Sequence, residues 1–214
     1  MNLSKACEAI DKNGMLLVFP INNQKEPKSL WHEFYPHSEM RWQWDNGGDD
    51  RVMKMWYGMK KLSQDKRVVY SKWYQGRATF FSREVFSVLR NYLDPQRQKL
   101  SQQAQEVLEI LESDSPLSTK QLKKMADLQG KDNERAYQKA IRSLFEQMWI
   151  VGFGEVDDGA FPSLAVGATT LLYEDLCLDK VEKDKAFGIL NKKFSQHPKL
   201  LKKIEQIKKR QIGD

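Results

Sequence analysis

A chain of 214 residues, 40% hydrophobic and 30% charged, has room for one large domain or two small ones, and its composition is that of an ordinary soluble globular protein, against a disordered one. Its longest apolar runs, such as Met15 to Phe19, are far too short to cross a bilayer and no long apolar leader opens the chain, so a cytoplasmic protein without membrane contact is expected. Two distant cysteines, Cys7 and Cys177, and three scattered histidines give neither a disulfide framework nor a zinc knuckle, and no metal or cofactor is expected.

The net charge of +6 is distributed in blocks: residues 51–90 hold ten basic and two acidic side chains, residues 180–214 eleven and four, and the rest of the chain sums to −9. Such segregation either decorates two solvated faces or supplies a surface that engages a polyanion from one side.

In chain order, residues 3–12 and 28–35 read as short helices around "MLLVFP", a strand. "RWQWDNGGDD" at 41–50 ends in a turn, in which Gly47 and Gly48 supply backbone freedom and Asp49 or Asp50 caps the next helix. That helix, Asp50 to Gln64, is expected to place Val52, Met55, Trp56, Met59 and Leu62 inward. "RVVYSKWYQGRATFF" at 67–81 is rich in β-branched and aromatic residues around Gln75-Gly76, which predicts an antiparallel hairpin with a tight turn. Arg67, Lys72 and Arg77, with Lys66 and Arg83 at its ends, decorate this aromatic ribbon, a mixture that suits a phosphate backbone. Ser82 caps another helix carrying Val85, Phe86 and Leu89.

Asp94-Pro95 is expected to open the next helix, which carries Leu100, Ala104, Val107, Leu108 and Leu111. Ser118 and Gln121 form a capping-box pattern for a second, burying Leu122, Met125 and Ala126 before Gly130. A third starts near Asn133 with the strongest amphipathic stripe of the chain: Ala136, Tyr137, Ala140, Ile141, Leu144, Phe145 and Met148. Strand, turn and strand follow in "WIVGFGEV", "DDG" and "AFPSLAV". "HPKLLKKIEQIKKRQ" then predicts a basic amphipathic helix. Its Leu200, Leu201, Ile204 and Ile207 suit docking on the body of the protein, and Lys202, Lys203, Lys208, Lys209 and Arg210 could extend a basic surface over DNA or anionic lipid.

Three helices followed by a hairpin is the order of a winged helix-turn-helix, and the first half reads in the same order. The expected fold is therefore α+β, predominantly helical, with tandem winged-helix-like units at 1–93 and 94–175 and a basic helical extension at 176–214.

Three sets of residues are candidates for chemistry. Arg135, Gln138, Lys139 and Arg142 recur at three- and four-residue steps, so they share one helix face, which either is solvated or enters a major groove. If the hairpin strand runs through them, Trp73 and Tyr74 face opposite sides, which leaves one among the basic side chains, placed to stack on a base or wedge into a duplex. Gln43 and Asp45, two apart on an extended segment, point the same way: an amide and a carboxylate for glycosyl-bond cleavage, or members of the capping turn.

The stretch from Met40 to Phe86, with its "KWYQGRATFFS" core, together with "LSTKQLKKMADLQG" and the helix and wing after it, resembles the bacterial AlkZ-related proteins and, more remotely, the AlkZ and YcaQ DNA glycosylases. The resemblance covers roughly residues 15–175. It implies consecutive winged-helix domains that bind duplex DNA on a concave basic surface and excise alkylated or crosslinked bases. The catalytic motif of those glycosylases is Gln, an apolar residue, then Gln or Asp, which Gln43-Trp44-Asp45 matches in letters. DNA-repair excision is one expected function; a non-catalytic winged-helix module for protein interaction or transcription is the other.

Overall fold

The computed structural model describes residues 1–42, 48–156 and 163–212. In the first half, Asn2 caps α1 (Leu3–Asn13) by accepting from the Lys5 amide, and β1 (Met15–Leu17) and α2 (Leu30–Phe34) follow. Asp49 caps α3 (Asp50–Ser63) as expected, accepting from the Arg51 amide. The hairpin strands are β2 (Val68–Ser71) and β3 (Thr79–Ser82), and Ser82 caps α4 (Arg83–Leu93) by accepting from Val85.

The expected helix start at Asp94-Pro95 is corrected. Asp94 takes a left-handed φ of 50° and ends α4; a 3-10 turn follows, and Ser101 caps α5 (Gln102–Ser113). β4 (Leu117–Ser118) then leads to α6 (Thr119–Met125), opened by the expected capping box of Ser118 and Gln121. Met125 ends that helix exposed, not buried as its spacing suggested, and Leu128 in the next turn is the buried residue. α7 (Lys131–Glu146), β5 (Ile150–Val156) and β6 (Ser163–Ala168) complete this half, followed by α8 (Thr169–Leu172), α9 (Glu174–Leu178), α10 (Lys183–Lys193) and α11 (Pro198–Ile212).

Each half thus runs helix, strand, helix, helix, strand, strand up to its hairpin, and its strands lie in the order first, third, second. The two triplets join edge to edge into one six-stranded antiparallel sheet, β1-β3-β2-β5-β6-β4, whose order is the same from either side. β2 meets β5 with Tyr70 opposite Gly152. A Cβ on Gly152 would lie 2.2 Å from Tyr70 Cδ1, so only glycine admits the phenol ring at the junction of the halves. Gly152→Ala is expected to destabilise the protein by roughly 1–3 kcal/mol through this overpacking, read as a lower urea midpoint at unchanged slope; an unshifted midpoint would mean the ring moves aside freely.

Strand alternation distributes the core between the two sides of the sheet. One side sets Leu16, Val18, Val68, Tyr70 and Phe80 against α1, α2 and α3, and Leu117, Ile150, Val166 and Ala168 against α5, α6 and α7. The other side, with Leu17, Val69, Phe81 and Val151, is covered by α4, α10 and α11. α3 and α7 therefore stand on the same side.

The apolar stripe of α11 docks as its spacing suggested: Leu200, Ile204 and Ile207 are buried, each contributing about 2 kcal/mol of apolar burial. Two of its lysines are used within the chain, Lys203 on the Glu146 carboxylate at 2.5 Å and Lys208 donating to the Leu93 carbonyl at 2.9 Å. No helix among the described residues is long and apolar enough to cross a membrane.

Candidate nucleic-acid interface

The hairpin turn is tight, as Gln75-Gly76 predicts: Arg77 N–H donates to the Tyr74 carbonyl at 2.9 Å, with φ of 53° at Gln75 and 71° at Gly76. The β2 ladder, however, stops at Ser71. Period-two alternation no longer governs the residues after it, and Trp73 and Tyr74 both fold inward, 1% and 5% exposed. Trp73 packs edge-on against Phe81 with ring centroids 5.7 Å apart, and its Nε1 donates to the Glu146 carbonyl at 3.1 Å. The expectation that one of the two stands among the basic side chains as a wedge or stacking ring is thereby overturned.

The basic residues of the hairpin separate into two groups. Lys72 and Arg77 flank the turn, whereas Arg67 and Arg83 adjoin the opposite end, roughly 13 Å away along the four residues of β2. Arg67 forks onto Asp65, with Nη2 2.6 Å from Oδ2, and these hydrogen bonds hold the Asp65 carboxyl below its ordinary range and the guanidinium above its own. Arg83 donates to the Lys66 carbonyl at 2.6 Å and to the Asp175 carboxylate. Both are engaged within the chain, and they line a cleft with the carboxylates of Glu8, Asp11 and Glu84. By contrast Arg77 is exposed, with no ion pair among the described residues.

The turn end reaches α7. Along that helix Tyr137, Ala140, Ile141, Leu144 and Phe145 are buried, and Arg135, Gln138, Lys139 and Arg142 are exposed on the opposite face. Lys72, Gln75 and Gly76 come up against Gln138 and Arg142, and with Lys123 of α6 they enclose a cavity of about 360 Å³ floored by Tyr137, Ile141, Phe145, Leu164 and Val166. Three cations and no carboxylate line it. The acids nearest on α7 are already neutralised: Glu134 accepts from Lys123 Nζ at 2.6 Å and from Gln138 Nε2 at 2.8 Å, and Glu146 from Lys203 and Arg210. Lys72 makes no hydrogen bond or ion pair among the described residues, and its half-burial lowers the amine's pKa by desolvation.

A second exposed strip was missed in the sequence. Trp56, expected to face inward, is 47% exposed, and Tyr57 is 60% exposed beside Met53. Val52, Met55, Met59 and Leu62 already complete the inward stripe at steps of three and four, which places Trp56 beyond its edge. Met53, Trp56, Tyr57, Lys60 and Lys61 recur at the same helical steps, so aromatic and basic side chains share the outer face of α3, the recurrence by which the strip could have been found.

Gln43 and Asp45 lie outside the described residues. After that segment, Asp49 and Arg51 form an ion pair of 2.5 Å, whose hydrogen bonds hold the Asp49 carboxyl below its ordinary range, and the Arg51 guanidinium lies over the rings of Trp31 and Tyr35. No group of three or more His, Cys, Asp or Glu among the described residues is placed to hold a metal ion.

A family model described as AlkZ related matches residues 1–187. No match was found among curated proteins or among solved structures.

Proposed function

Because the chain belongs to the AlkZ-related family, we propose that it binds duplex DNA through tandem winged-helix-like units, residues 1–93 and 94–175 with the extension 176–214, as a bacterial, cytoplasmic relative of DNA-repair glycosylases. The observation that carries this reading is the outer face of α7, where Arg135, Gln138, Lys139 and Arg142 are exposed together, with Lys72 of the turn beside Gln138 and Arg142. Helix 3 of such a unit is the one that enters a major groove, where Arg and Lys position the protein on phosphates and Arg and Gln can address base edges. On the same side of the sheet Lys54 and Lys61 of α3 are exposed and extend the basic surface, while Lys60 lies 3.4 Å from the Glu155 carboxylate.

Binding measured across a salt series tests the proposal. Phosphate contacts release counterions and leave a log–log slope of about −0.9 per contact on duplex DNA, so a slope near zero would favour the second reading, a protein-docking module. That reading has its own support in Met53, Trp56 and Tyr57, exposed together on α3.

Excision is the finer proposal, resting on Gln43-Trp44-Asp45. There the Asp45 carboxylate would stabilise the oxocarbenium-like sugar or position the attacking water, and Gln43 would orient the same water. Duplex bearing N7-alkylated guanine, treated to cleave abasic sites after incubation, should show strand breaks that Asp45→Asn abolishes. Their absence with the unaltered protein would leave DNA binding without excision.

A further inference from the structure

We propose that the outer face of α3 binds an unpaired stretch of DNA strand, with Trp56 and Tyr57 each stacking on a base and Lys54 and Lys61 holding the phosphates at either end. The inference rests in part on the DNA-binding reading and adds to it a second kind of contact, to bases that have left the duplex.

Three observations converge on this ligand. The first is free aromatic surface. Trp56 and Tyr57 are the exposed aromatic side chains among the described residues, and neither meets another ring, a cation or a hydrogen-bond partner there. Every base has a π face, and stacking it on such a ring is worth about five- to 150-fold in affinity.

The second is charge. Lys54 and Lys61 are exposed and make no ion pair among the described residues. The acids of this region are accounted for: Asp49 is taken by Arg51, Glu155 is answered by Lys60 at 3.4 Å, and Asp50, the one acid within α3, sits in its first turn, where the helix dipole favours it. The third is spacing. Tyr57 has Lys54 one turn before it and Lys61 one turn after. The seven-residue step between the lysines spans about 10.5 Å of helix, close to three steps of a stacked strand at about 3.4 Å each. Two bases on two rings, with a phosphate at each end, match that length.

A protein partner fits this face less well. A stable interface covers about 800 Å² on each side and keeps lysine out of its centre, whereas the apolar part of this strip is three side chains, Met53, Trp56 and Tyr57, set among lysines. Because α3 and α7 stand on the same side of the sheet, a strand leaving a duplex on α7 has the α3 face open to it.

The test compares three probes: a single-stranded oligonucleotide, a fully paired duplex, and the same duplex with a single-stranded overhang. The single strand is expected to bind, and the overhang to tighten duplex binding about tenfold, the weight of one stacked base. Trp56→Leu and Tyr57→Leu keep apolar bulk and lose the π face, so each should weaken single-strand binding about fivefold or more, while Trp56→Phe keeps most of it. Both side chains are exposed, so thermal melts should not move. Single strand bound by the unaltered protein and lost in both leucine variants, with no duplex bound, would support the inference and reject the duplex-binding reading. Duplex bound with no gain from the overhang would overturn the inference and leave that reading standing, as would single-strand binding that survives both leucine substitutions. Self-association abolished by Trp56→Leu, with no oligonucleotide bound, would overturn both and give the strip to a second copy of the chain.

Discussion

Replacing Arg135, Lys139 and Arg142 of α7 together by Ala is expected to flatten the salt dependence of duplex binding by about 2.7 log units per log unit of salt, the contribution of three phosphate contacts. The three lie at steps of four and three on one helix face, all are exposed, and none makes an ion pair among the described residues. Their removal therefore costs no ion pair among the described residues, and stability should stay within about 0.5 kcal/mol. Arg67→Ala and Arg83→Ala serve as controls: tied to Asp65 and Asp175 at the far end of the hairpin, they should leave the slope nearly unchanged although each removes a positive charge. A triple variant that melts normally and keeps its slope would remove α7 from the interface. A slope that falls as much per charge removed in the controls would show general charge attraction with no localised site.

The largest effect on stability is expected at Trp73. Trp73→Ala should cost about 3–5 kcal/mol, the range for deleting a fully buried aromatic side chain. The ring fills the space beside Phe81 in the cluster shared with α4 and α11, and its indole N–H joins the turn of the first half to the last residue of α7 in the second. Trp73→Phe separates the two contributions: it retains most of the packing but leaves the Glu146 carbonyl without its donor, a loss of about 1 kcal/mol. Urea unfolding of the three proteins measures both. A shift below about 1 kcal/mol for the alanine variant would show that the indole is not structural, and would reopen its place at the interface.

Local signals carried much of this fold. The Ser82 cap, the reciprocal Ser118–Gln121 box, the inward stripe of α7 and the turn at Gln75-Gly76 are each decided within a few residues, so the letters suffice. What escaped the sequence is set by distant partners. Nothing near Trp73 says that β2 ends two residues earlier, because its partners, Phe81 and the Glu146 carbonyl, are fixed by the tertiary structure. Asp94 in an N-capping pattern could as well end a helix in the left-handed region, and the chain chose that. Trp56 was misplaced because aromatic residues are more often core than surface. Of the candidate interface, the α7 face was legible from its period. Its proximity to Lys72 was not, since β2 meets β5 at Tyr70 and Gly152, residues far apart in the chain.

That seam, together with α11, which grips Glu146 at the end of α7 and Leu93 at the end of α4, has a mechanical consequence. Lys203 and Lys208 lie on one helix yet hold residues of different halves, behind a sheet that runs unbroken from one half to the other. These ties oppose a spreading of α3 from α7, and in the DNA-binding reading proposed above the separation of the two helices would act as a ruler. A mismatch between that ruler and the helical repeat of a bound duplex would then fall on the nucleic acid, as curvature, and sequences that bend easily would be favoured at positions the protein never touches.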